Sequence, residues 1–238
     1  SLVAADLGIA MGQIGTEVAK QASDIILLDD KLSSVLKAME QGRHIFYTLR
    51  RVILYFFATN FGEVLVVLFA FLLKLEVPIL AAQILWLNLV TDGFLDLALA
   101  AEPIEQGLLE KSWLRESLKK GLIDPMLMLK VAYMAVPMAV GSLYLFAQNC
   151  CDDMIMARTM TLVCMAMFQW FNAWNCRSEN LSLFQIGLFT NFWLLIATGF
   201  VLLLQVLVTT VPFLQIIFKT VPLSLYSYND CKSTDFLV

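Results

Sequence analysis

Long apolar runs broken at few places dominate the chain, and the first of them is Val52 to Leu73, VILYFFATNFGEVLVVLFAFLL. It is long enough to cross a bilayer as a helix, yet it carries Asn60 and Glu63 near its middle. A carboxylate at that depth costs roughly 2.5–3.5 kcal/mol even on the lenient insertion scale, so something must offset it. At about 100° per residue, positions three apart share a helix face, and Asn60 and Glu63 are expected to point the same way. Gly62 between them would let another backbone or an ion approach. Two readings stand here, a functional intramembrane acid and a hydrogen bond between helices.

A second apolar stretch, Val77 to Ala101, contains LWLNLVTDG, which puts Asn88, Thr91 and Asp92 on one face of one helix. Two neighbouring spans joined by a short loop would bring two carboxylates, two amides and a hydroxyl together at mid-membrane. Such an all-oxygen set suits a hard cation such as Ca²⁺ better than Zn²⁺ or Cu⁺. Two acids with no Lys or Arg between them repel, so a cation or protons must neutralise them.

Three further spans are predicted, at Met126–Phe146 with Lys130 near one end and Pro137 as a kink, at Met156–Trp174, and at about Thr190–Val211. In the fourth span Gln169 and Asn172 again stand three apart. Before the first span a helical pattern starts near Leu32 and runs into it with only Gly42 as a breaker, which predicts a long stalk. His44, the only histidine, lies there and reads as a packed or exposed side chain rather than a ligand. The first thirty residues read as α/β structure: a strand near Leu7–Met11, a glycine-punctuated turn, a helix about Thr16–Ala22 and a strand Ile25–Leu28. Gly8, Gly12 and Gly15 do not have phosphate-loop spacing, and Asp29 and Asp30 read as strand end and N-cap.

Composition sharpens this into a membrane protein: hydrophobic residues make up 60% of the chain and the mean hydropathy is +0.77, far from soluble domains. The fold class expected is mainly α, a polytopic helical membrane bundle of about five spans. No basic, aromatic-interleaved patch suggests nucleic acid. The five cysteines do not form a disulfide framework, with Cys150 and Cys151 adjacent. No signal peptide is read at SLVAADLGIAMG. Arg43, Arg50, Arg51, Lys111, Arg115, Lys119, Lys120 and Arg177 fall on the side assigned to the cytosol, against chiefly Lys74, Arg158 and Lys219 on the other. The segment Glu105–Gly121 reads as a cytosolic loop with a short amphipathic helix, Asn149–Asp153 as an acidic external loop, and Arg177–Asn180 as a cytosolic turn.

The ordered series ADLGIAMG, GTEVAKQASDIILLDD, TNFGEV, QILWLNLVTDG and AAEP resembles the C-terminal part of the P-type cation-transporting ATPases, calcium-pump branch, over nearly all of residues 1–222. The resemblance implies that 1–31 ends the phosphorylation domain, 32–51 is the cytosolic stalk, 52–211 is the cation-transport domain and 212–238 is a tail in place of the family's final helix. It implies that Asn60 and Glu63 are ion ligands of the fifth family helix and Asn88, Thr91 and Asp92 those of the sixth, with Gln169 and Asn172 as further candidates. Sodium-potassium pumps usually have an acid at Asn88 and a proline at Gly62, so both positions favour calcium. Animal intracellular calcium pumps have an acid where Gln169 stands, so one bound Ca²⁺ rather than two is expected.

The function implied is the ion-translocation module of an ATP-driven pump, with Ca²⁺ as the transported ion and Mn²⁺ or Na⁺ as alternatives. Mg²⁺ and ATP would act in the missing N-terminal part, which would be the module's partner together with the lipid bilayer. No catalytic residue is expected in this chain, which lacks the phosphorylated aspartate; a non-catalytic membrane fragment is the alternative reading. A secondary carrier would suit the acids but not the ADLGIAMG and GTEVAKQASD segments. The expected location is a cell membrane, plasma or inner, as a multi-pass protein.

Overall fold

The structure is a computed structural model, and it describes residues 2–103, 121–150, 153–178, 187 and 189–223. Among these the chain divides into two compact units, with the boundary between Tyr47 and Thr48.

In the first unit, strand β1 (Ile9–Met11) pairs in parallel with β2 (Ile25–Leu27), Ile9 opposite Ile25, and helix α1 (Glu17–Gln21) makes the crossover. The order matches the sequence expectation, with strands a residue or two shorter. Thr16 caps α1 by accepting from the Ala19 N–H, and Glu17 pairs with Lys20 at 2.8 Å. Asp29 and Asp30 are not the N-cap of the next helix, which corrects the expectation. Asp30 adopts a left-handed backbone, φ 51°, and its carboxylate accepts from the N–H groups of Gln13 and Ile14, both at 2.9 Å. Asp29 accepts instead from the Lys31 N–H and the Ser34 hydroxyl.

Helix α2 (Leu32–Leu72) is one unbroken element of 41 residues, so the stalk and the first span form a single helix. The second span, Ala81–Ala100, is interrupted: α3 (Ala81–Trp86) passes into a π-helical turn (Leu87–Asp92) and then α4 (Gly93–Ala100). The widened turn sits on the polar motif itself, as π-bulges often do at functional sites. The widened turn takes more residues per revolution, so the angular step between Asn88, Thr91 and Asp92 is smaller there than in an α-helix. Helices α5 (Pro125–Asn149), α6 (Met154–Asn175) and α7 (Phe192–Thr210) follow, then a short α8 (Pro212–Phe218). Among the described residues five helices are long and apolar enough to cross a membrane.

The starts of the later spans are written in side-chain chemistry. Asp124, Asp153 and Asn191 each accept hydrogen bonds from the first turn of α5, α6 and α7, and Pro125 occupies the position where a missing N–H costs nothing. Pro137 lies inside α5 without ending it. Residues 212–221 pack back on the bundle: Gln83 donates to the Phe218 carbonyl at 2.9 Å and Thr220 to that of Val208 at 2.6 Å.

Two apolar layers fill the second unit. One holds Leu54, Tyr55, Leu95, Leu99, Ala173 and Leu194; the other holds Val66, Leu87, Met138, Leu162, Met165 and Val208. Along α2, along the second span and along α6, the residues left between the layers are those the sequence marked as polar breaks.

Three arginines counted toward topology are buried rather than solvated. Arg50 forks onto Asp124 with both contacts at 3.1 Å and also donates to the Gly121 carbonyl. Arg177 contacts Glu102 at 2.8 Å and donates to Thr190 and to the Gly187 carbonyl. Arg51 is 5% exposed. A bidentate carboxylate partner lets a guanidinium sit away from solvent. Cys164 is half-buried, and the described cysteines are free thiols. The expected amphipathic loop helix, residues 151–152 of the Asn149–Asp153 loop, half of the Arg177–Asn180 turn and the end of the tail lie outside the described residues.

Candidate ion-binding site

Glu63 is the centre of the polar layer. Unbroken α2 carries it to the level of the π turn, where it is 5% exposed. Its Oε2 accepts from Asn88 Nδ2 at 2.9 Å and its Oε1 from Gln169 Nε2 at 3.0 Å, so one carboxylate joins α2, the π turn and α6. Amides donating to both oxygens offset part of the desolvation of a buried charge. Asn88 is fixed further by donating to the Ile84 carbonyl at 3.0 Å.

Asp92, the last residue of the π turn, is 2% exposed, and its Oδ1 accepts from the Tyr55 hydroxyl at 2.8 Å. It lies within electrostatic reach of Glu63. The tyrosine was not singled out in the sequence, where it reads as one more aromatic in an apolar run; its place two turns before Glu63 on α2 is the available signal. Asp96 was also missed, although an acid four residues beyond Asp92 in an apolar span is as unusual as the acids that were noticed.

Several buried polar atoms in this layer have no hydrogen-bond partner: Thr91 Oγ1, Asp92 Oδ2, Asp96 Oδ1, Gln169 Oε1 and Asn172 Nδ2. A buried polar atom without a partner costs free energy, and four of these five are oxygens. Among the described residues no three of His, Cys, Asp and Glu gather closely enough to hold a metal ion, and the oxygens of this layer come from amides and hydroxyls as well as acids.

The structure thus brings Glu63, Asn88 and Gln169 into direct contact and buries Thr91, Asp92 and Asn172 in the same unit. Asn60 behaves differently from the expected shared face: it is half-exposed, and Nδ2 donates to the Phe56 carbonyl of its own helix at 2.8 Å. Gly62 faces a neighbouring helix. A Cβ there would meet the Met138 sulfur at 2.9 Å, so the missing side chain admits α5.

The sequence of this chain has counterparts in known proteins. The chain is 38% identical over 226 residues to calcium-transporting ATPase 1 of Yarrowia lipolytica, covering 94% of this chain and 24% of that protein. It is 36% identical over 223 residues to calcium-transporting ATPase 1 of Saccharomyces cerevisiae, with 92% and 23% covered. Calcium-transporting ATPase type 2C member 1 of Homo sapiens is 34% identical over 230 residues, with 94% and 24% covered. The chain therefore spans about a quarter of the length of the curated relatives it matches. The family model described as cation transporting ATPase, C-terminus, matches residues 76–231. A five-span helical bundle with a buried layer of acids and amides, matched by that model over most of its length, belongs to the C-terminal membrane domain family of the cation-transporting ATPases.

Proposed function

We propose that this chain is the ion-binding and translocation module of an ATP-driven pump that carries Ca²⁺, with Glu63, Asn88, Thr91 and Asp92 as ligands and Asn60, Gln169 and Asn172 as further candidates. The observation that carries it is the Glu63 carboxylate held by Asn88 and Gln169, with buried oxygens of Thr91, Asp92 and Gln169 left without partners. Turning the Gln169 amide half round would exchange its N–H for its oxygen, and so convert a lock on Glu63 into a cation ligand. Oxygen donors of this kind suit Ca²⁺, which takes six to eight oxygens at about 2.3–2.6 Å.

Two carboxylates and neutral amides match the charge of one divalent ion, which supports a stoichiometry of one. In the pump reading, phosphorylation in the part of the protein before Ser1 displaces α2, which runs without a break to Glu63, and the cluster alternates between tight and weak binding. Glu63 and Asp92 take up protons when the cation leaves, because two bare acids cannot stay charged together at low dielectric. Mg²⁺ and ATP belong to that other part, so the chain by itself has no ATPase activity. The membrane proposed is a cell membrane, plasma or inner, and locating a tagged copy reads it directly.

The test is a chimaera in which residues 1–238 replace the matching C-terminal part of the Saccharomyces cerevisiae calcium-transporting ATPase 1. Ca²⁺-dependent phosphorylation from ATP is expected, with about one Ca²⁺ bound per chain. Glu63→Gln and Asp92→Asn should each abolish it; a chimaera indifferent to both substitutions, or binding two ions, would overturn the ligand assignment or the stoichiometry respectively.

A further inference from the structure

The second span carries an acid that the proposed ligand set does not use. Asp96 stands four residues beyond Asp92 on α4, one helical turn nearer Glu102, in a stretch otherwise made of Phe94, Leu95, Leu97, Ala98 and Leu99. It is only partly exposed, and its Oδ1 is buried without a partner. The neighbouring Asp92 is 98% buried and keeps Oδ2 unpartnered. Asp96 lies within electrostatic reach of both Asp92 and Tyr55. Two carboxylates, each with a buried oxygen that has no hydrogen-bond partner among the described residues, therefore flank one turn of helix.

The spacing suits a bridging ion. Side chains four apart on a helix have Cβ atoms about 5–6 Å apart. A Ca²⁺ ion at 2.3–2.6 Å from each of two oxygens needs them at most about 5 Å apart. The Tyr55 hydroxyl already donates to Asp92 Oδ1 and retains lone pairs that can accept or coordinate. So few protein donors leave a cation most of its water there, which suits a passing ion better than a retained one.

We infer that Asp96, with Asp92 and the Tyr55 hydroxyl, forms a staging position at which a partly hydrated divalent cation halts between the Glu63 cluster and the Glu102 end of the second span. The inference rests on the proposed ion-binding reading, since Asp92 belongs to both positions. Because the two positions share Asp92 and lie a few ångströms apart at low dielectric, repulsion between two divalent cations keeps them from being filled together. The staging acid therefore alters how fast an ion is exchanged and leaves the number bound at one. A fixed negative charge at the approach to a low-dielectric site raises local cation concentration and association rate by ten-fold or more.

The experiment uses the whole chain in lipid nanodiscs with Ca²⁺ alone, reading bound ⁴⁵Ca²⁺ at equilibrium and the exchange rate by rapid mixing with chelator. The unsubstituted chain should bind one ion. Asp96→Asn should slow both uptake and release by about ten-fold with the count still one, Asp96→Ala should do the same, and Asp96→Glu should restore most of the rate. Unchanged rates in Asp96→Asn and Asp96→Ala would overturn the staging position while leaving the Glu63 site standing, the outcome also expected if Asp96 serves to pair with a basic group elsewhere in the pump. Loss of all binding in those variants would overturn it as well, making Asp96 a ligand of the retained ion. No binding by the unsubstituted chain, with none in the chimaera, would instead bring down the ion-binding reading itself.

Discussion

Gln169 Nε2 lies 3.0 Å from Glu63 Oε1, across 106 positions of sequence, and so an amide stands where a second acid would face the first. Replacing it by Glu would put two carboxylates in contact inside the membrane. At an effective dielectric near 20 their repulsion is on the order of several kcal/mol, so without cation one must stay protonated or the helices part. Gln169→Glu should melt earlier than the parent in chelator and recover in millimolar Ca²⁺, giving a Ca²⁺-dependent thermal shift larger than the parent's. A substituted protein as stable in chelator as the parent would show that the two side chains do not share a site.

That contact also marks how far the sequence could be read. The spans were legible because twenty apolar residues in a row admit few other structures, and their starts because Asp124, Asp153 and Asn191 are capping residues just ahead of them. Glu63, Asp92 and Gln169 were legible as polar residues in the wrong solvent. What periodicity could not show is the π turn at Leu87–Asp92, since a widened turn is set by packing and leaves no trace in the apolar pattern. Nor could it show that Asn60 spends its amide on Phe56, or that Tyr55 reaches Asp92, because both depend on rotamers and on a second helix. The family resemblance supplied candidate ligands, but the geometry alone divides Glu63 from Asn60.

Arg177 is 1% exposed and meets Glu102, which also accepts from Asn191, so one buried pair ties the ends of α4, α6 and α7. Its guanidinium lies 5.6 Å from the Trp174 ring centre. Removing one member leaves the other charged and buried, which costs about 3–5 kcal/mol. Arg177→Ala and Glu102→Ala should each lower the unfolding free energy in detergent by about that much. The double substitution should cost clearly less than their sum, and strict additivity in that cycle would refute the pair as an energetic unit.

Gly62 and Gly141 both admit a neighbour, with different tolerance. A Cβ at Gly62 would lie 2.9 Å from the sulfur of Met138, near the end of an adaptable side chain, whereas at Gly141 it would lie 2.9 and 3.1 Å from two ring carbons of Phe168. A thioether can swing aside; a packed ring moves only with its helix. Gly141→Ala should destabilise by about 1–3 kcal/mol, the usual overpacking range, and Gly62→Ala by less. Thermal unfolding of the two variants side by side checks the order, and equal losses would mean that Met138 is as fixed as Phe168.

In the first unit the acid sensitivity should lie at Asp30. The Gln13 N–H, the largest cause, and the Ile14 N–H hold its carboxyl below the ordinary value of 3.8 against a desolvation that pushes it up. Because the folded value is the lower one, the bonds favour the folded unit fully above the ordinary carboxylate range, and that contribution disappears as the pH falls through the lowered value. Asp29 is shifted the same way, first by the Ser34 hydroxyl and then by the Lys31 N–H. Titrating the chain in nanodiscs while following the Gln13 and Ile14 amide resonances should show no change down to about pH 4 and a coupled transition below it. Asp30→Asn should remove that transition while leaving the Ser34 response of Asp29 in place, because the amide keeps an acceptor oxygen but has no proton to gain in this range. A transition that persists in Asp30→Asn would assign it to another acid and detach the glycine turn from the charge at Asp30.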